Sequence, residues 1–208
     1  MTRHRSEEER RTQILGAARK AFIRRGYFST SVEDIADVAG LSKGGIYFRF
    51  KAKGDIMKSI VDGEYGQSMT FFKSIVNSTD TARQKIELLT TFFVQAFVSD
   101  KDSPRFSLVR TECALRDDKL RRALLKMQRQ YIDSMVTILE AGVASGEFRK
   151  VDMEPTAIVL KAIMDGIEGA LALGLEVDPT RLVKAGLELV VHGLGVETDS
   201  EAKVTAKR

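Results

Sequence analysis

The stretch GYFSTSVEDIADVAGLSKGGIYFRFKAK, residues 26–53, decides the interpretation of this chain. Two short helical patterns flank the tight turn Gly40-Leu41-Ser42, because Ser31 and Ser42 can each cap a helix and Gly40 can end the first one. Basic and aromatic residues crowd the second pattern, which runs roughly over residues 43–48. This arrangement is typical of a helix-turn-helix, whose second helix enters the major groove of DNA.

The rest of the chain also has the pattern of helices. Its 208 residues include three widely spaced prolines, and runs in which Val, Ile and Thr alternate with polar residues are scarce. Apolar residues recur instead at intervals of three and four, and polar or glycine-containing breaks separate about nine such segments. We therefore predict an all-α protein. Its predicted helix N-caps include Ser6, Ser31, Ser42, Asp152 and Asp178.

Charge is distributed unevenly along the chain. Residues 1–53 contain twelve basic and six acidic side chains, whereas residues 54–208 contain twenty-one basic and twenty-three acidic ones. A basic head on a nearly neutral body favours a polyanion as partner of the head. A solvated surface that is basic for no functional reason would give the same asymmetry, so charge alone leaves both interpretations open.

Seven residues of the quoted stretch are candidate DNA contacts. They are Ser31, Lys43, Gly44, Gly45, Tyr47, Arg49 and Lys53. The lysines suit phosphates, the two glycines allow close backbone approach, and Arg49 could bind a guanine edge or a phosphate. Backbone amides at Ser31 could bind a phosphate, and Arg3-His4-Arg5 could lie in a minor groove. Taken singly, Gly44-Gly45 could instead be an ordinary loop and Tyr47 a core aromatic.

At this fixed spacing the residues resemble the TetR (tetracycline repressor) family of bacterial transcription regulators. The resemblance is carried by Thr30, Val32, Ile35-Ala36, Ala39-Gly40-Leu41-Ser42, Gly44, Ile46-Tyr47, Phe50 and Lys53. It implies an N-terminal three-helix DNA-binding domain over residues 1–53 and a helical ligand-binding and dimerisation domain over residues 54–196. The remaining residues, 197–208, lack an apolar pattern and are expected to form a disordered tail.

The resemblance also implies DNA contacts, mostly to the backbone, by Ser31, Lys43, Gly44, Tyr47 and Lys53. Three positions depart from the family pattern. Gly45 stands where threonine is common, Arg49 where histidine is common, and Gly54 where an acidic residue usually opens the fourth helix. The first two departures leave the base preference of this chain open.

Bulky apolar residues of the second region are candidates to line a cavity for a small, largely apolar molecule. Such sites are mostly apolar with a few polar anchors, and methionine adapts to irregular ligands. The apolar candidates include Phe72, Phe93, Phe97, Met127 and Met164, and the candidate polar anchors are Glu112, Tyr131 and Glu168. Aromatic and methionine residues at helical spacing also form plain cores, so this alternative stays open.

The last two helical patterns are the candidate subunit contact, as the resemblance implies. Their candidate interface residues are Val159, Ile163, Gly166, Ala170, Leu187, Val190 and Val191. Small residues four positions apart, at Gly166, Ala170 and Gly174, allow a second helix to approach closely. Spacing alone does not distinguish packing within one subunit from packing between two.

Several classes of protein are not expected. The sequence has no Ser/His/Asp arrangement, no Cys/His metal spacing and no phosphate-binding glycine loop, so we expect no enzyme, cofactor or metal site. The single cysteine, Cys113, lies among apolar residues and is expected to be buried and inert. A charged N-terminus and charges within the most apolar stretch, residues 156–175, favour a cytoplasmic protein outside membranes.

The expected function is therefore that of a dimeric transcription regulator, foremost a repressor. It would bind a palindromic operator in double-stranded DNA and be released by a small, unidentified effector. Two alternatives remain: a ligand-responsive activator, and a small-molecule-binding protein whose basic head binds another polyanion.

Overall fold

The computed structural model describes residues 6–195, except for the side chain of Val191, and within this range it is built of nine α-helices. They are α1 (Glu7–Arg25), α2 (Val32–Ala39), α3 (Lys43–Tyr47), α4 (Lys53–Val76), α5 (Ala82–Ser99), α6 (Asp102–Ala114), α7 (Asp118–Ala144), α8 (Met153–Ala172) and α9 (Pro179–Leu194). The predicted all-α class is confirmed. The arm at residues 3–5 and the tail at residues 197–208 lie outside the described residues.

Local sequence determines where the helices begin and end. Ser6 and Ser31 accept hydrogen bonds from backbone amides three residues on and complete capping boxes, and Ser42 caps α3 through the Gly45 amide at 3.2 Å. Gly40 ends α2 in the left-handed region at φ 63°. The prediction for Asp152 is only partly met, since it precedes α8 but its carboxylate makes no capping hydrogen bond.

Backbone contacts divide the chain into two compact units. The first contains residues up to Met69 together with Lys101–Met127, and the second contains Thr70–Asp100 together with the residues from Gln128 onward. Helices α4 and α7 therefore each contribute residues to both units. The division by compactness differs from the predicted functional boundary after residue 53, which stays a prediction.

The first unit has one hydrophobic core, to which α1, α2, α3, α4, α6 and the start of α7 all contribute. Its fully buried side chains include Ile14, Phe22, Ile35, Ile46, Ile56 and Phe106. Cys113 belongs to the same core and is 2% exposed, and burial raises the pKa of its thiol to about 11. The thiol is therefore protonated and unreactive at neutral pH, as expected from the sequence.

The second unit contains α5 packed against α8 and α9. The N-terminus of α5 is fixed by Glu147, which accepts hydrogen bonds from the amides of Ala82 and Arg83 at 3.2 and 3.1 Å. After α7, the chain pairs with the end of α9 through an isolated bridge between Phe148 and Gly195. None of the helices within residues 6–195 is sufficiently long and apolar to cross a bilayer.

Candidate nucleic-acid interface and effector region

Helix α3 has one buried side and one open side. Ile46 and Phe50 are 0% and 3% exposed and anchor the segment in the core of the first unit, whereas Tyr47 is 45% exposed. A Cβ atom added at Gly44 or Gly45 would meet only the Ser42 hydroxyl, at 3.9 and 3.5 Å. Packing within the chain therefore does not require glycine at either position, and the outer side of α3 is free of bulk.

Lys43 lies on this outer side and is exposed. Its ammonium pairs with the Glu33 carboxylate of α2 and lies 5.8 Å from the centre of the Tyr47 ring. The shared hydrogen bond lowers the pKa of Glu33 and raises that of Lys43. Ion pairs this exposed contribute little to stability, so an incoming phosphate can replace Glu33 as the partner of Lys43.

Ser31 serves as the N-cap of α2. Its hydroxyl donates to the Asp34 carboxylate at 2.7 Å and accepts from the Asp34 amide at 3.1 Å. The Ser31 backbone amide also donates to this carboxylate, and it is the main cause of the lowered pKa of Asp34. The structural role of Ser31 is thus defined, and its contact with DNA stays a prediction.

Arg49, a predicted contact to a guanine edge or a phosphate, is more enclosed than a side chain that projects into solvent. Its side chain is 17% exposed and donates to Glu7 at 2.7 Å and to the Gly45 carbonyl at 3.4 Å. The cause is the acidic first turn of α1, which attracts the guanidinium. In this conformation Arg49 links the end of α3 to the start of α1.

Lys53 is also more enclosed than a surface phosphate contact. Its ammonium donates to the carbonyls of Tyr27 and Thr30, at 2.7 and 2.6 Å, and lies 4.3 Å from the centre of the Tyr27 ring. Burial lowers its pKa. Lys53 therefore holds the start of α4 against the segment between α1 and α2, with one N–H left for a phosphate.

Phe48 is a surface residue that the sequence analysis missed. It is 79% exposed and immediately follows α3. The spacing contains the signal, because the buried anchors Ile46 and Phe50 lie two residues before and after it. A side chain midway between two helical core positions points away from the core.

A cluster of six aromatic rings occupies the second unit. This aromatic cluster consists of Phe71, Phe72, Phe92, Phe93, Phe97 and Tyr131. Phe71 and Phe92 are stacked with ring centres 4.0 Å apart, and Phe72 lies 5.2 Å from Tyr131. Phe72 is buried whereas the other five rings are half-buried. Four predicted ligand residues, Phe72, Phe93, Phe97 and Tyr131, are therefore brought together.

Helix α8 adds polar groups beside this cluster. The Lys161 ammonium lies 5.9 Å from the centre of the Tyr131 ring and pairs with Asp165. Met164 and Glu168, both predicted ligand residues, are half-buried on α8 at helical spacing from Lys161. Lys161 lies beside the aromatic cluster but was not among the ligand residues predicted from the sequence.

Two predicted ligand residues lie in the first unit, whereas the aromatic cluster belongs to the second. Met127 is 9% exposed and part of the core of the first unit. Glu112 also lies in the first unit, where it is exposed and pairs with Arg116 at 3.7 Å. Helical periodicity identified Met127 as an inward residue, but it could not show which of two compact units that part of α7 joins.

An open groove of about 520 Å³ lies between α1 and α2 in the first unit. Its lining residues are Glu9, Thr12, Gln13, Gly16, Ala17, Lys20, Val38 and Ala39. Polar and apolar residues line it about equally, and none of the predicted ligand residues is among them. We therefore place the candidate effector region at the aromatic cluster, whose half-buried rings match an apolar molecule better.

Helices α8 and α9 expose apolar side chains in the single chain. Val159, Ile163 and Leu189 are 58%, 46% and 73% exposed. The predicted interface residues Gly166 and Ala170 are exposed and half-buried respectively, and Leu187 and Val190 are half-buried. The side chain of Val191 lies outside the described residues.

Comparison with known proteins agrees with this organisation. Residues 14–60 match the model for bacterial regulatory proteins of the tetR family, and residues 82–195 match the model for the C-terminal region of BetI-type transcriptional repressors. The first match includes α2, α3 and the segment that bears Lys53. The second includes α5, four of the six aromatic-cluster rings, α8 and all of α9.

Individual relatives lead to the same conclusion. The chain is 29% identical to the transcriptional repressor KstR2 of Rhodococcus jostii, over 70% of this chain and 71% of KstR2. It is 26% identical to the fatty acid metabolism regulator protein of Bacillus subtilis, over 88% and 94% of the two chains. A crystal structure of the regulator FadR of B. subtilis with stearoyl-CoA superposes with a TM-score of 0.75, at 26% identity, over 88% of this chain and 98% of FadR. These are transcription regulators and not enzymes, and the chain belongs to the TetR family of bacterial transcription regulators, with a C-terminal region of the BetI type.

Proposed function

We propose that this protein is a homodimeric repressor that binds a near-palindromic operator through α3 of each subunit. A small, largely apolar molecule bound in the C-terminal region releases it from the DNA. The outer side of α3 carries this proposal, because the core anchors Ile46 and Phe50 leave Tyr47, Lys43 and the two glycines on one accessible surface. The protein acts in the cytoplasm, where its operator is accessible.

DNA binding proceeds by exchange of partners on this surface. Lys43 leaves Glu33 for a phosphate, and the Tyr47 hydroxyl donates to another phosphate. Lys53 acts mainly by positioning the start of α4, and its remaining N–H faces the DNA backbone. Each lysine or arginine that neutralises a phosphate releases counterions, so the affinity falls steeply with salt.

Dimerisation uses the apolar surface of α8 and α9. In a single chain, water contacts the apolar side chains of Val159, Ile163 and Leu189, and their burial against a second subunit is favourable. A two-fold axis that buries them against their copies gives the dimer two α3 helices, one for each half-site. Half-sites about 34–36 Å apart, one turn of B-DNA, then match the two heads.

The effector binds at the aromatic cluster, beside Lys161. Half-buried rings offer apolar contact, and the ammonium of Lys161 can pair with an acidic group of the ligand. The similar FadR structure contains stearoyl-CoA, a molecule with a long apolar chain and acidic groups. Its ligand supports a search among acyl compounds. An effector changes the affinity of the protein for DNA only if it binds the DNA-binding conformation and the released conformation with different affinities.

Selection of DNA from a random duplex library by the full-length protein tests the proposal. We expect enrichment of a near-palindrome with two half-sites. A set of acyl and aromatic compounds is screened for those that raise the melting temperature of the protein, and such a compound should weaken binding of the operator. The same protein should bind scrambled duplex at least about a thousandfold more weakly. Failure to enrich any sequence at low salt would contradict the proposal.

A further inference from the structure

We infer that Phe48 determines part of the operator sequence by contacting the methyl group of a thymine in the major groove. This inference rests on the DNA-binding function proposed above. It adds a residue that specifies a base, whereas Lys43 and Tyr47 position the protein on the backbone.

The exposure of Phe48 is exceptional for this chain. At 79% it is the most exposed aromatic side chain among residues 6–195, and Phe28 and Tyr47 follow at 46% and 45%. Its backbone continues the helical conformation of α3, with φ −60°, ψ −29° and an N–H bond to the Gly44 carbonyl at 2.9 Å. A large apolar ring exposed to this degree favours a partner that covers it.

The surroundings of Phe48 suit close approach to base edges. Gly44 and Gly45 precede it by four and three residues, so they share its side of the helix and add no bulk there. Arg49, whose guanidinium lies 5.3 Å from the centre of the Phe48 ring, is tied to Glu7. The phenyl ring is therefore the most exposed aromatic group beside the two glycines.

The chemistry of the ring selects its partner. Phenylalanine has no hydrogen-bond donor or acceptor, so it can bond neither a phosphate nor the polar base edges. In the major groove the thymine methyl is the apolar feature that distinguishes one base pair from another. Phe48 therefore favours an A·T pair with its thymine facing α3.

Replacement of single thymines by uracil in the selected operator tests this contact, since only the methyl group is removed. With the full-length wild-type protein we expect one thymine in each half-site to lose about fourfold in affinity on replacement, the effect of one buried methyl. Phe48→Ala should bind the thymine operator at least that much more weakly, and should bind the thymine and uracil operators equally. Phe48→Leu should keep a preference for thymine.

Val38→Ala is the matched control, because Val38 is an apolar residue of α2 that is 53% exposed in the same unit. It should leave the thymine preference unchanged. If Phe48→Ala keeps that preference at every position, or if no thymine matters to the wild type, the inference is wrong while the proposed function stands. If the wild type binds no duplex selectively, both are wrong.

Discussion

Ile46 and Tyr47 are neighbours in the chain with opposite surroundings, 0% and 45% exposed. The helical turn of α3 separates them, so that one side chain holds the segment in the core and the other is available to a partner. The same separation places Phe48 outside and Phe50 inside. At the scale of single residues, burial of Ile46 and Phe50 thus determines which residues of the five-residue helix α3 and of the segment after it are exposed to a partner.

The ion pair between Glu33 and Lys43 gives a prediction at this scale. Glu33→Gln frees Lys43 from its carboxylate, and we expect operator affinity to rise about twofold to fivefold at low salt, as is typical of an exposed pair. Fluorescence anisotropy with labelled operator measures the change. Asp37→Asn is the matched control, because it removes another exposed acid of α2. Equal effects of the two substitutions would show that Glu33 does not compete with phosphate for Lys43.

The positions of the buried anchors can be predicted from the sequence, whereas the partners of the long side chains cannot. Ile46 and Phe50 follow from helical periodicity, which is a local property. The pairing of Arg49 with Glu7 joins residues 42 positions apart, and the contacts of Lys53 with Tyr27 and Thr30 also depend on the tertiary fold. Long flexible cations adopt whichever partner the fold brings near, so their environment could not be predicted from spacing.

Elements are joined at a few points of close approach, and Gly142 of α7 is one. A Cβ atom there would overlap the ring of Phe148 and lie 2.8 Å from the Cβ atom of Ala82. Alanine normally favours a helix, yet we expect Gly142→Ala to destabilise the protein by about 1–3 kcal/mol, because the surrounding side chains must move. Urea denaturation measures this loss.

Gly63→Ala is the control for that substitution. A Cβ atom at Gly63 in α4 meets nothing within 4 Å, so alanine should stabilise the protein by about 0.5–1 kcal/mol through helix propensity. Opposite signs at the two glycines are the expected result. A gain in stability at Gly142 would show that α7 and α5 are not in such close contact.

The cap of α5 by Glu147 gives a pH-dependent prediction. Burial raises the pKa of this carboxyl, but hydrogen bonds from the amides of Arg83 and Ala82 outweigh it, so that folding lowers the pKa below its usual 4.5. The stabilisation is therefore complete above pH of about 4.5 and is lost as the pH falls through the lower pKa of the folded state.

Glu147→Gln should therefore cost about 1 kcal/mol at pH 7 and less at pH 3. Thermal denaturation between these pH values measures the difference from the wild type. Glu140→Gln, which removes an exposed glutamate of α7, should leave the pH dependence of stability unchanged. A constant difference between Glu147→Gln and the wild type across the pH range would contradict the cap assignment.

Helix positions were largely predictable from the sequence, because caps and glycine stops are local signals. Ser31 and Gly40 cap the two ends of α2, and Ser42 caps the start of α3, as predicted. The sequence did not predict which of the two compact units each buried residue joins. Helix α7 contributes to two compact units, and Met127 carries the same helical pattern as Tyr131 although the two belong to different ones.

At the scale of the whole molecule, the exposed side of α8 predicts dependence on a second subunit. Ile163→Glu introduces a charge into the proposed interface, so we expect a dimer to become monomeric in sedimentation velocity at micromolar concentration. Operator binding should weaken with it, because two heads no longer act together. Leu115→Glu, at a residue 78% exposed in the first unit, should leave the dimer intact. A monomeric wild type, or a dimeric Ile163→Glu variant, would contradict this interface.

The central claim is that the outer side of α3 binds the operator. Its most direct test is the operator affinity of the Lys43→Ala, Tyr47→Ala double variant as a function of salt, with Lys126→Ala, an exposed lysine of α7, as control. Both altered side chains are exposed, so the variant should fold normally by circular dichroism. We predict at least about a tenfold loss of affinity and a salt slope shallower by about one, while the control binds like the wild type. A folded double variant with unchanged affinity and unchanged salt slope would contradict the claim.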